Sequence, residues 1–373
     1  MGLETVWYII LAGMLAAYAV LDGFDLGVGA VSLWVARDGG ERHAVVRSVG
    51  PVWDGNEVWL VAAGGTLYFA FPAVYASAFS GFYLPLMMVL WLLVFRAFSI
   101  EFRHHVEHPL WKPFWDKAFC LSSAALAVFL GAAMGNVVRG AALDAQGGFF
   151  NALFTNFSPF GSDLGILDWY TLLAGLAALA VLAVQGALWL NLKTEGAVQA
   201  RSATLARRLG WPALLLVALL TLATWFVQPH VRERLLSHPA GALLPLAAFA
   251  CAAFGLLSLR QGRELAAFLG WCLFIGLVFF SAAFGLYPYL LPSVTPGLGL
   301  TAQNSHTSQY GMQVGLAWFI PGMLLALAYF TVLYTRLPAK FAAGGGHAEP
   351  EPAFPPAWES RGRESRGERG PSR

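Results

Sequence analysis

Four carboxylates, Asp22, Asp25, Asp54 and Glu57, stand in or at the ends of otherwise apolar strings, LDGFDLGVGA and PVWDGNEVWL. An acid at the centre of a membrane helix costs roughly 3 kcal/mol or more unless it is protonated, paired or facing water. Such residues are functional candidates by default. Within each string the two acids are spaced i,i+3, which puts both on one side of a regular helix. Carboxylates within hydrogen-bond reach of one another, or one water apart, pass protons, so the chemistry on offer is proton conduction. A structural reading stands beside it. The acids could pair with arginine, Arg96 above all, or cap helix ends, as Asp54 could at the start of its segment. Trp53, Asn56 and Glu57 crowd polar and amphipathic groups around Asp54 and favour function there, whereas for Asp22 and Asp25 the two readings weigh equally. Arg96, at the end of WLLVF, either snorkels to the interface or pairs with Asp25 or Asp54.

The elements that must position these residues are membrane helices. Of 373 residues, 58% are hydrophobic and only 12% charged, and the mean hydropathy is +0.61, whereas an ordinary soluble domain is about 25% charged. Runs near the ~20 residues that cross a bilayer fall at 6–36, 55–75, 78–98, 118–137, 167–190, 211–228, 242–259, 265–287 and 316–335. The expected fold is an all-α polytopic integral membrane protein with nine transmembrane helices, arranged as two four-helix bundles plus one further helix. The first run has no basic flank and is too long for a signal peptide, so the chain is expected to keep its N-terminus.

Charge orients the spans. Of the 23 Lys and Arg residues, 20 fall at the inner end of span three, in the connections after spans one, three, five and seven, or in the C-terminal tail, and 3 fall in the other connections. By the positive-inside bias the N-terminus lies outside and the C-terminus in the cytoplasm. A net charge of +2 averages two unlike faces and gives no reason to expect nucleic-acid binding. Entering near Val6 and rising 1.5 Å per residue, the chain reaches Asp22 after ~24 Å. Asp22 and Asp25 thus belong to the inner half, and Asp54 and Glu57, where span two enters from the cytoplasm, should share their depth.

The rest of the chain is quieter. Loops 138–166 and 288–315 read as caps on the external face. Residues 1–338 form the helical domain, and 339–373, rich in Pro, Gly and alternating charge, read as a disordered cytoplasmic tail. Cys120, Cys251 and Cys272 are isolated in or beside apolar spans, and free Cys there behaves as a small hydrophobe. Gly23, Gly27 and Gly29 suit close helix packing. His43, His104, His105, His108, His230, His238, His306 and His347 all fall in loops or the tail by this reading, so no span supplies the helix-borne His that holds a buried haem. Asn136, Gln185 and Ser281 are the sparse polar residues inside spans, where amides and hydroxyls often bond between helices.

These strings resemble subunit II of the cytochrome bd family of quinol oxidases. DGFDLGVG, PVWDGNEVWL followed by GG, FPAVYASAFSGFY, FRAFSIEFR, WDKAF, MGN, VQGALWL with KTEG, YPYLLPS and NSHTSQ occur in that family's order over about residues 5–335. The resemblance implies a nine-span subunit in a pseudo-symmetric heterodimer with subunit I, which carries haems b and d and oxidises quinol externally. Protons for reducing oxygen to water come from the cytoplasm. By motif, Asp54 matches the acid implicated in the proton route at the subunit boundary, with Trp53, Gly55 and Asn56 completing its string. Asp22, Asp25 and Arg96 also sit at matching positions, whereas Glu57 replaces Gln of some members. The resemblance admits a structural quinone in this subunit, bound lipid and small accessory subunits.

Two other classes of function compete with this expectation. A stand-alone proton-coupled transporter would also carry intramembrane acids and Gly-rich helices, although no inverted repeat is evident. A purely structural partner would use its acids only to tie helices together.

Overall fold

The computed structural model describes residues 2–342 apart from 107 and 162; the tail from 343 on, with His347, lies outside the described residues. Twelve α-helices follow one another: α1 (Leu3–Val35), α2 (Gly39–Val49), α3 (Trp53–Ala70), α4 (Pro72–Gly81), α5 (Tyr83–Glu101), α6 (Trp111–Arg139), α7 (Trp169–Lys193), α8 (Gly196–Val227), α9 (Pro229–Ser237), α10 (Leu243–Arg260), α11 (Glu264–Leu286) and α12 (Gln309–Arg336). A two-stranded antiparallel ribbon, β1 (Tyr289–Leu291) with β2 (Leu300–Thr301), lies in the loop before α12.

Eight helices among the described residues are long and apolar enough to cross a membrane: α1, α5, α6, α7, α8, α10, α11 and α12. The remaining expected span, 55–75, falls on α3 and α4, which break at Pro72. Asp54, Asn56 and Glu57 crowd the first turns of α3 and lower its hydropathy. Several helices run beyond their apolar stretches. α6 begins at Trp111, α8 at Gly196 and α12 at Gln309, because a helix goes on satisfying its own backbone in the headgroup region, where hydropathy no longer marks it.

α1, α3, α5 and α6 are joined through the α1–α3, α1–α6 and α5–α6 contacts, and α7, α8, α10 and α11 through α7–α8, α10–α11 and α8–α10. The two sets pack broadly on each other, α6 on α7, α1 on α11 and α1 on α7, the last at a close crossing. There a Cβ on Gly186 would sit 2.1 Å from the Gly27 carbonyl carbon, and one on Gly27 would sit 1.9 Å from Leu182 O. Only glycine permits this approach, so packing, the plainer reading of Gly27, holds. α12 is the further helix, with Met312 its one buried residue among those described.

The connections segregate to opposite ends. At one end Arg201 joins Glu41 at 2.5 Å and Val35 O at 2.7 Å, Lys340 joins Glu264 at 2.9 Å, and Phe341 N donates to Lys193 O at 2.7 Å. The Arg201 hydrogen bond, helped by the Arg37 amide, holds the Glu41 carboxyl below the usual carboxylate range. At the other end Ala141 exchanges backbone bonds with Pro292 and Val294, Gln228 donates to Val138 O, and Thr307 N donates to Ala70 O. The two loops expected as caps thus pack together. Beneath them Arg139 pairs with Asp168, which caps α7, and donates to Asn136.

Candidate functional site

Along the C-terminal half of α1, every residue from Asp22 to Ser32 is buried, so its acids are enclosed by protein. Positions i and i+3 are offset by about 60° around a helix, and the two acids use that offset to face different neighbours. Asp22 faces α5. Arg96 Nη2 donates to Asp22 Oδ1 at 2.5 Å and Nη1 to Oδ2 at 3.0 Å, and both side chains are 0% exposed. Arg96 therefore neither snorkels nor pairs with Asp25 or Asp54, the partners expected from sequence. Trp53, at the start of α3, sets its ring 6.0 Å from the same guanidinium, and the Tyr18 hydroxyl is buried one turn along α1 from Asp22.

Asp25 faces α3. Its Oδ2 accepts from Asn56 Nδ2 at 2.7 Å, while its Oδ1 is buried with no hydrogen-bond partner among the described residues. Asn56, itself fully buried, accepts at Oδ1 from the Tyr334 phenol of α12 at 2.9 Å. The first string and the second therefore meet, as their shared depth requires.

Asp54 is not a helix cap. Val52 occupies the N-cap position of α3 with no side-chain bond, and among the described residues Asp54 Oδ1 accepts only from the adjacent Gly55 N, at 2.8 Å. Its side chain is exposed on the outside of the bundle. Glu57, one turn further and half-buried, lies within electrostatic reach of Asp54 on one side and of Asp22 and Arg96 on the other. It is also among the charges that act on Asp25. Gly55 lies against Phe330 and Leu333 of α12, at ordinary packing distance for an added Cβ. The acids thus run from the bundle interior at Asp25, past Glu57, to the surface at Asp54.

Sequence reasoning missed Tyr334. Its signal was position along its span, since it lies near the C-terminal end of the last span, level with the start of span two. Gln185, noted as a helix-bridging amide, donates to Val20 O of α1 at 2.8 Å and leaves its own Oε1 buried without a partner.

The described histidines lie outside the eight long apolar helices. His43 and His230 stand on the short helices α2 and α9, not in loops as expected, and the others lie in the connections. Among the described residues, no group of three or more His, Cys, Asp or Glu is gathered as metal ligands. Among the described residues, the eight long apolar helices therefore offer no His to hold a haem between them.

The chain belongs to the cytochrome bd terminal oxidase subunit II family, whose model matches residues 3–337. It is similar to the cytochrome bd-I ubiquinol oxidase subunit 2 of Escherichia coli, with 28% identity covering 89% of this chain and 92% of that one. The cytochrome bd ubiquinol oxidase subunit 2 of Bacillus subtilis is 27% identical over 84% of this chain and 89% of its own. Among solved structures, a chain of the bd oxidase from Geobacillus thermodenitrificans shares the fold, with a TM-score of 0.72 at 21% identity, covering 90% of this chain and 98% of that chain. Membership makes this multi-pass membrane protein a subunit of an oxidoreductase complex that contains haems and a partner subunit.

Proposed function

We propose that the chain is the haem-free subunit II of a cytochrome bd-type quinol oxidase, scaffolding the haem-bearing subunit I and contributing to cytoplasmic proton delivery for the reduction of oxygen to water with quinol electrons. The single observation that carries the proton role is the unequal treatment of two neighbouring acids. Asp22 is neutralised by a bidentate arginine, and such a pair stays ionised and fixed. Asp25 keeps one oxygen unbonded. Asp22 and Arg96 hold the site together, and Asp25, Glu57 and Asp54 handle protons.

The exposed position of Asp54 supports a partner on that face. Val58 and Val61 of α3 are exposed beside it, and an ionisable group on a lipid-facing surface is costly, so subunit I would cover this face and take the proton onward. The absence of a fitting donor set supports haems b and d being held by that partner. Quinol as electron donor comes from the names of the relatives in Escherichia coli and Bacillus subtilis. The uneven basic residues support the bacterial cytoplasmic membrane with the N-terminus outside and the C-terminus, including the 339–373 tail, in the cytoplasm. Lys340 and Phe341, at the start of that tail, dock on α11 and α7.

Purifying the tagged chain from its native membranes tests the assignment. It should bring with it a second polypeptide that holds the haem absorption, and the preparation should oxidise quinol with oxygen. A haem-free chain that transports a solute alone would refute it in favour of the transporter.

A further inference from the structure

The outermost helix contributes a group that this reading leaves unused. α12 is peripheral, yet its inner end sends the Tyr334 hydroxyl to Asn56 Oδ1 at 2.9 Å, and Asn56 Nδ2 reaches Asp25 Oδ2 at 2.7 Å. The two bonds engage both ends of one buried amide. An amide offers an acceptor at one end and donors at the other. With the phenol donating to Oδ1, Nδ2 must face the carboxyl group, so Asp25 Oδ2 is committed as an acceptor. The oxygen that remains to take and release a proton is Oδ1, which is buried and has no partner among the described residues.

Packing holds the ring independently of its hydroxyl. Tyr334 stacks on Phe330 at 6.3 Å and meets Trp189 edge-on at 6.4 Å. The titratable and charged groups around the cluster are Tyr18, Asp22 and Asp25 of α1, Glu57 of α3, Arg96 of α5 and Cys272 of α11.

Resting on the proton-delivery reading above, we propose that Tyr334 is a positioning residue: through Asn56 it sets which oxygen of Asp25 carries the exchangeable proton, and it makes that setting depend on the seating of α12. In this arrangement Asp25 Oδ1 accepts a proton and hands it on, while the phenol keeps its own proton throughout.

Tyr334→Phe in the intact oxidase complex, with wild type and Asp25→Asn in parallel, tests the proposal. The Phe variant should assemble with full haem content and turn over roughly threefold to tenfold more slowly, the range of one neutral hydrogen bond. Its pH–rate profile should be displaced, and the infrared carboxyl band that Asp25→Asn removes should shift. Unchanged turnover, pH profile and band position would overturn the proposal. So would failure of Tyr334→Phe to assemble, since the hydroxyl would then be structural. An Asp25→Asn complex with normal turnover would instead defeat the proton-delivery reading, and the infrared band would still report whether Tyr334 sets the state of Asp25.

Discussion

Asp22 of α1 and Arg96 of α5 meet as a bidentate ion pair, at 2.5 and 3.0 Å, with neither side chain reachable by solvent. Removing one member of a buried pair strands the other's charge at a cost of about 3–5 kcal/mol, whereas removing both can be nearly neutral. Arg96→Leu should therefore lower the thermal midpoint and haem content of the purified complex, and adding Asp22→Leu should recover most of the loss. Arg96→Lys should fall between, because an ammonium cannot reproduce the two-pronged bond. A double variant as poor as Arg96→Leu would argue against the pair as the source of the loss.

The crossing of α1 and α7 gives a second test. Gly186→Ala places a methyl group against the Gly27 backbone, whereas a Cβ on Gly64 meets nothing within 4 Å. Gly186→Ala should sharply reduce the yield of folded chain in membranes, and Gly64→Ala should leave it unchanged. Equal yields would mean that the helices are not in contact there.

Topology gives a third. A reporter fused after Lys340 should be active only on the cytoplasmic side, and one inserted at Gly297 only on the external side. The reverse pattern would place Asp22, Asp25, Asp54 and Glu57 toward the external face instead.

The acids themselves were legible because a carboxylate inside an apolar string is conspicuous, and their shared depth followed from counting rise along the helix. Which acid Arg96 would choose was not legible. That choice depends on where α5 sits around α1, and a 60° difference in azimuth between Asp22 and Asp25 leaves no trace in spacing. The Asn56–Tyr334 bond joins residues 278 positions apart, so local pattern could not pair them. The cap reading of Asp54 failed because α3 starts at Trp53, two residues earlier than a cap at Asp54 requires. The Gly27–Gly186 contact was half visible, since the small residues of α1 announced a close approach but not its partner.

Proton delivery by the acids of this chain is tested most directly by Asp54→Asn. Asn preserves the volume and hydrogen-bonding capacity of the side chain while removing the titratable proton, and the N-cap is Val52, so no capping bond is lost. In the purified complex, quinol oxidase turnover and proton uptake are measured together with haem content. Haem content should stay full, with turnover and proton uptake falling together by about a hundredfold, the lower side of what loss of a positioned acid–base group costs. An assembled Asp54→Asn complex with normal turnover and normal proton uptake would contradict it.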